Sequence, residues 1–184
     1  MSHYDPLFIK QCIESFVARM GNYTGERRVY FDADNTLFLF SQWGKADESL
    51  KACYNKGFYK NLPVFQEAPM VVENLQKFGI TVGILSSYYT GYAHDEKLQS
   101  YHYHFPSVDD KDIILVPYGE PKTDYVKNIE HAVLVDDYNG NINDWYKAGG
   151  VALKKSFSGK KRPVPTLVSL VDVFYELHKL KFLK

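Results

Sequence analysis

Two short stretches end apolar runs on paired acids. In VYFDADNTL the run Val29–Phe31 delivers Asp32, with Asp34 two residues on and Asn35 and Thr36 after it; in AVLVDDYNGN a similar run delivers Asp136 and Asp137. Core packing explains the apolar residues of each run but not the acids, because a buried carboxylate needs a hydrogen-bonding partner, a counter-charge or a metal. An Asx-rich turn, with Asp and Asn in the special dihedrals they tolerate, would explain either stretch alone. If the two runs are neighbouring parallel strands, however, their acids converge on one carboxyl edge. Hard oxygen ligands gathered there suit Mg²⁺, which takes a few carboxylates, keeps waters and shares a substrate phosphate. Ser86 and Ser87, which end the run ILSS, and Lys122, which follows Pro121 before an expected helix, belong to the same edge. Taken one at a time, such a serine or lysine is ordinarily a solvated cap.

Positioning these groups requires strands that alternate with helices. Strands are expected at Arg28–Phe31, Ile80–Leu85, Asp112–Val116, Ala132–Val135 and Gly150–Leu153, all short and rich in β-branched or bulky apolar residues, as strands buried on both faces are. A helix is expected in residues 1–20, where Leu7, Ile9, Ile13, Phe16, Val17 and Met20 recur at helical spacing. Others are expected at Ala68–Phe78, Tyr92–Tyr103, Thr123–Glu130, Ile142–Ala148 and Leu167–Leu180. The pattern predicts an α/β fold, a three-layer Rossmann-like parallel sheet flanked by helices. Between Leu37 and about Phe65 the rhythm breaks over a stretch too long for an ordinary connection. A small helical cap at 38–66 is therefore expected, inserted into a core made of 1–37 and 67–184 and placed to cover the site. The stretch Lys154–Pro165, basic and proline-containing, reads as a surface loop.

A length of 184 residues fits one domain. Lys plus Arg and Asp plus Glu number 22 each, so the formal charge is zero and no global field draws the chain to a nucleic-acid polymer or an anionic membrane. Hydrophobic residues at 45% and aromatics at 16% support a packed globule. No apolar run approaches the roughly 18 residues of a membrane span, and the N-terminus lacks a cationic leader region, so a soluble, cytoplasmic protein is expected. Cys12 and Cys53 have no metal or redox spacing and read as reduced packing residues. His102 and His104 alternate with Tyr101 and Tyr103 and read as helix-end residues rather than ligands.

In their order along Val29 to Asp137, these elements resemble the haloacid dehalogenase (HAD) superfamily of phosphotransferases. Its motifs are a strand followed by DxDxT, a strand followed by Ser or Thr, a lysine, and a strand followed by DD. The resemblance implies a Mg²⁺-dependent phosphomonoesterase. In it Asp32 is the nucleophile that becomes an aspartyl-phosphate, and Asp34 protonates the leaving oxygen and then activates water. Ser86 donates to the phosphoryl oxygens, or Ser87 if the strand ends a residue later, and Lys122 neutralises their charge and that of Asp32. Mg²⁺ is held by the Asp32 carboxylate, the main-chain carbonyl of Asp34 and the Asp136 carboxylate, with Asp137 in direct or water-mediated support. Thr36 fixes the turn or touches substrate. Gly57, Phe58, Tyr59, Asn61, Leu62 and Pro63, with Pro121–Thr123, resemble the deoxyribonucleotidase and related 5′-nucleotidase branch. That implies a (deoxy)nucleoside monophosphate as partner, with Trp43 and Phe58 as candidates to stack its base. A sugar phosphate or other small metabolite is the alternative within the same chemistry. A catalytically idle module that binds a nucleotide or a protein is the alternative outside it.

Overall fold

The strands sit where the apolar runs fall. In the computed structural model, which describes residues 5–41, 51–158 and 162–183, six strands of the described residues form one parallel sheet in the order β3-β2-β1-β4-β5-β6. They are β1 Arg28–Phe31, β2 Thr81–Tyr88, β3 Ile113–Pro117, β4 Ala132–Asp136, β5 Val151–Lys155 and β6 Thr166–Leu167. β4 and β5 are buried along their whole length, as expected of strands covered by helices on both faces. The chain builds β2 and β3 on one side of β1 and then crosses to β4 on the other, so the topological switch point falls between the exits of β1 and β4. Phe31 is in register with Val135, and the Asp32 amide donates to the Val135 carbonyl at 2.8 Å. Asp32 and Asp136 therefore leave adjacent strands at the same height.

Helices α1 Pro6–Gly21, α2 Ala68–Lys77, α3 Gly91–His104, α4 Asn139–Lys147 and α5 Asp172–Lys179 accompany the sheet. Asp5 caps α1 by accepting from the Leu7 amide at 2.9 Å, Pro6 pre-sets its first turn, and Ile9, Phe16 and Met20 form its buried face. α2 buries Val71, Val72 and Leu75, and α4 buries Ile142, Trp145 and Tyr146. α3 is different: its buried side chains include Glu96, Lys97 and Ser100 beside Ala93 and Tyr101. No helix among the described residues is long and apolar enough to cross a membrane.

Four expectations need correction. The helix expected over Thr123–Glu130 is two short 3₁₀ turns, Lys122–Tyr125 and Ile129–His131, because Val126 is extended and Asn128 is left-handed at φ 58°. The helix expected from Leu167 begins only at Asp172. Thr166 and Leu167 instead pair with Lys154 and Lys155 of β5, and the Asp172 carboxylate binds the Val168 and Ser169 amides in the turn between. The basic loop accordingly starts later, since Lys154 and Lys155 are buried in β5. β2 runs to Tyr88 rather than Leu85.

The insertion is tied down at both ends. Leu39 donates to the Pro63 carbonyl at 2.8 Å, Phe65 donates to the Leu37 carbonyl at 2.9 Å, and Phe38 bridges Val64. Its described residues Phe40, Cys53, Tyr59 and Leu62 join the buried apolar core. Glu96 on α3 accepts from the amides of Gly57 and Tyr59 at 2.5 and 3.2 Å, fixing this segment to the sheet's helical layer.

Candidate active site

The turn after β1 is tight. The Ala33 carbonyl accepts from the amides of Thr36, Leu37 and Phe38, and Asn35 takes the left-handed conformation, φ 59°, that asparagine tolerates. This turn presents Asp32 and Asp34 at the mouth of the switch point. A cleft of about 660 Å³ opens there, bounded on the β1 side by Asp32, Asp34 and Asn35 and on the β4 side by Asp137, Tyr138 and Asn141.

At its base, Lys122 joins the two acid stretches. Its Nζ lies 2.6 Å from Asp32 Oδ1 and 2.8 Å from Asp136 Oδ2, and all three side chains are buried. Asp136 is further held by the Tyr138 amide at 2.7 Å and by Asn141 Nδ2 at 2.8 Å, both from the start of α4. Burial pushes the Asp32 carboxyl well above the ordinary carboxylate range; Lys122 opposes this, and Asp136, Asp34 and Asp137 add to it. Burial likewise raises Asp137 to about 7, with Asp136 adding and Lys154 opposing. For Lys122 burial pulls downward, but Asp136 and Asp32 outweigh it and its pKa rises. One oxygen from each of Asp32, Asp136 and Asp137 lies within 4.8 Å of the others. Three carboxylates against Lys122 and, beside Asp137, Lys154 leave a negative excess that a divalent cation would offset, and an all-oxygen donor set suits Mg²⁺.

A second lysine occupies the β2 side. Lys97 Nζ, 1% exposed, donates to Asp34 Oδ2 at 2.8 Å, Ser86 Oγ at 3.0 Å and the Ser87 carbonyl at 2.8 Å, and lies 4.5 Å from the Tyr59 ring centroid. Because β2 continues past both serines, their side chains leave opposite faces. Ser86 is fully buried against Lys97, whereas Ser87 lines the cleft.

The structure thus gathers Asp32, Asp34, Ser87, Lys122, Asp136 and Asp137 around one cleft, with Ser86 behind it. Thr36 is fully buried in the turn, its hydroxyl without a partner among the described residues, and is not positioned to touch substrate. Phe58 does not line the cleft: it packs edge-on against Phe40 and Tyr59, at 5.4 and 5.0 Å, because the insertion uses its aromatics for its own packing. Trp43 lies outside the described residues. The aromatic wall comes instead from Phe40, Tyr89, Tyr118 and Tyr138. Tyr89 stacks on Tyr118 at 4.1 Å, while Tyr118 and Tyr138 are each 65% exposed. The turn carrying Tyr118 needs Gly119, whose φ of 95° disfavours any side chain. His102 pairs with Asp110 at 3.0 Å and His104 packs on Phe38, so neither joins the acidic cluster.

Sequence reasoning missed Lys97, Asn141 and the three tyrosines. Lys97 did leave a signal: it sits midway in the row Ala93, Lys97, Tyr101, a charge at the centre of a helix's apolar i, i+4 line. Asn141 and the tyrosines left none, since polar and aromatic residues beside strand exits are common on surfaces.

No protein-family model and no curated protein sequence matches the chain. Solved structures do match. A haloacid dehalogenase-like family hydrolase from Xanthomonas campestris superposes with a TM-score of 0.63 at 12% identity, over 85% of this chain and 92% of that one. D,D-heptose 1,7-bisphosphate phosphatase from Burkholderia thailandensis gives 0.58 at 9%, over 83% and 99%. A candidate HAD-hydrolase from Bacillus subtilis bound to magnesium gives 0.59 at 14%, over 83% and 98%. The chain shares the fold of these HAD-superfamily hydrolases.

Proposed function

We propose that the chain is a Mg²⁺-dependent phosphomonoesterase that forms an aspartyl-phosphate on Asp32 and acts on nucleoside monophosphates. The observation that carries this reading is the Asp32–Lys122–Asp136 arrangement at the switch point, where a buried lysine holds a carboxylate at the floor of an open cleft. A bare structural turn has no use for it. In the first step an Asp32 oxygen bonds to phosphorus as the bond from phosphorus to the leaving oxygen breaks, and Asp34 gives that oxygen a proton. In the second, Asp34 takes a proton from water, the water oxygen bonds to the same phosphorus, and the bond to Asp32 breaks, releasing inorganic phosphate. Ser87, the hydroxyl that lines the cleft, donates to the phosphoryl oxygens, and Lys122 offsets their charge. The carboxylates of Asp32 and Asp136 and the main-chain carbonyl of Asp34, with Asp137 beside them, would hold Mg²⁺, which when bound stabilises charge on the phosphoryl group.

Two features favour a nucleoside over a sugar as the remainder of the substrate. Tyr118 and Tyr138, each well exposed, offer flat apolar faces beside the phosphate position, with Tyr89 stacked against Tyr118. Stacking a base on such a face contributes about 1–3 kcal/mol. The outer cleft also carries Glu120 and Asp144, and Lys122 is the one cation among its described lining residues, which suits a single phosphate and a neutral remainder. Phosphate release from p-nitrophenyl phosphate, nucleoside monophosphates and ribose 5-phosphate, with Mg²⁺ or EDTA, tests the reading. Mg²⁺-dependent release, faster from a nucleoside monophosphate than from ribose 5-phosphate, is expected. No release from any of them refutes the activity, and a preference for ribose 5-phosphate replaces the nucleotide with a sugar phosphate.

A further inference from the structure

We propose that Lys97 is a positioning residue of this site, which sets the geometry of Asp34 and of the β2 exit together. The proposal rests on the phosphatase reading and adds to it a residue that the four motifs do not contain. Asp34 comes from the turn after β1, Ser86 and Ser87 come from β2, and Lys97 comes from α3, yet one ammonium bonds all three. A lysine has three N–H donors, and here each has an oxygen at 2.8–3.0 Å. With Tyr59 on a further side, the group has nothing left to offer solvent or substrate. It therefore acts through its partners. Asp34 has one oxygen committed to Lys97 while its carboxylate borders the cleft. Ser86 accepts from Lys97, so its own hydrogen points elsewhere, and the neighbouring Ser87 carbonyl is pinned at the strand end that presents the Ser87 side chain.

The anchor is itself anchored. Glu96, the preceding residue of α3, binds the Gly57 and Tyr59 amides of the insertion, and Tyr59 supplies the ring beside Lys97. The insertion thus fixes the height of α3, and α3 fixes Asp34.

Lys97→Met removes the ammonium and keeps the apolar stem; Lys97→Arg keeps the charge. A displaced Asp34 matters most where the leaving oxygen needs its proton. On a nucleoside monophosphate Lys97→Met should lower kcat by on the order of 10- to 100-fold more than on p-nitrophenyl phosphate, with KM nearly unchanged. Lys97→Arg should recover part of that loss, and adding Lys97→Met to Asp34→Asn should cost little more than Asp34→Asn alone. Equal losses on both substrates, or losses that add, overturn the proposal. If Lys97→Met does not fold, Lys97→Arg alone must still lose more on the nucleotide. A crystal structure of the variant gives a reading independent of activity. Asp34 should leave its present position while the Asp32–Lys122 pair stays; an unmoved Asp34 overturns the role of Lys97 even if the parent hydrolyses no phosphomonoester.

Discussion

Two lysines divide the site into halves that differ in charge. Around Lys122 stand Asp32 and Asp136, with Asp137 and Lys154 close by, so three carboxylates face two lysines. Around Lys97 stand one carboxylate, Asp34, and two neutral oxygens, so the half is balanced as it is. The first half calls for a further cation and the second does not. In the proposed mechanism the difference separates two kinds of work: binding charge at phosphorus on the β4 side, and moving a proton on the β2 side.

That separation can be broken one side at a time. The largest effect is expected from Asp32→Asn, which removes both the proposed nucleophile and a proposed anionic metal ligand and should abolish turnover, a loss above about 10³-fold. Steady-state kinetics on a clean preparation check it. Asp34→Asn, on the other side, should cost about 10²–10⁴ in kcat on a nucleoside monophosphate and less on p-nitrophenyl phosphate, whose leaving group needs little protonation. Equal losses would remove Asp34 from proton transfer.

Asp136→Ala should raise the Mg²⁺ concentration for half-maximal activity by on the order of 10- to 100-fold, with activity partly recovered at high Mg²⁺. The comparison sharpens here, because Lys97→Met should leave the Mg²⁺ titration where it was. A shift in both variants would merge the two halves into one network. The smallest effect is expected outside both. Tyr118→Ala should raise KM for a nucleoside monophosphate about 5-fold, the lower end of base–aromatic stacking since Tyr118 is one wall among several, and leave ribose 5-phosphate unaffected.

The same division explains what could be read from the chain alone. The Lys122 half is built from strand exits, and a strand exit is legible: Val29–Phe31 and Ala132–Val135 are uninterrupted apolar runs, and the acids after them stand out by contrast. Their convergence is conditional on the two runs being neighbouring parallel strands, which the pairing of β1 with β4 meets. The Lys97 half depends on a helix face, where the lysine interrupts the row Ala93, Lys97, Tyr101 but stands beside Glu96, Gln99 and Ser100, and only the packed fold decides that it is buried. The end of β2 is hidden for a related reason, since Ser86 and Ser87 read as a stop although a buried lysine satisfies Ser86 within the strand. The base platform is less legible for a different reason. Aromatic density points to Phe58, but the choice between packing and presentation depends on neighbours distant in sequence, and the exposed rings at the cleft are Tyr118 and Tyr138. In the C-terminal segment helical spacing began at Leu167, but the edge of β5 claimed that residue first.

In the proposed mechanism everything turns on Asp32 carrying the phosphoryl group. Acid-quenching the protein during turnover of a ³²P-labelled phosphomonoester, with Mg²⁺ present, measures this directly. Protein-bound label is expected that maps to the peptide containing Asp32, that is released by hydroxylamine as an acyl phosphate is, and that is missing in Asp32→Asn. Steady turnover with no bound label at any quench time, or label on a different residue, would contradict it.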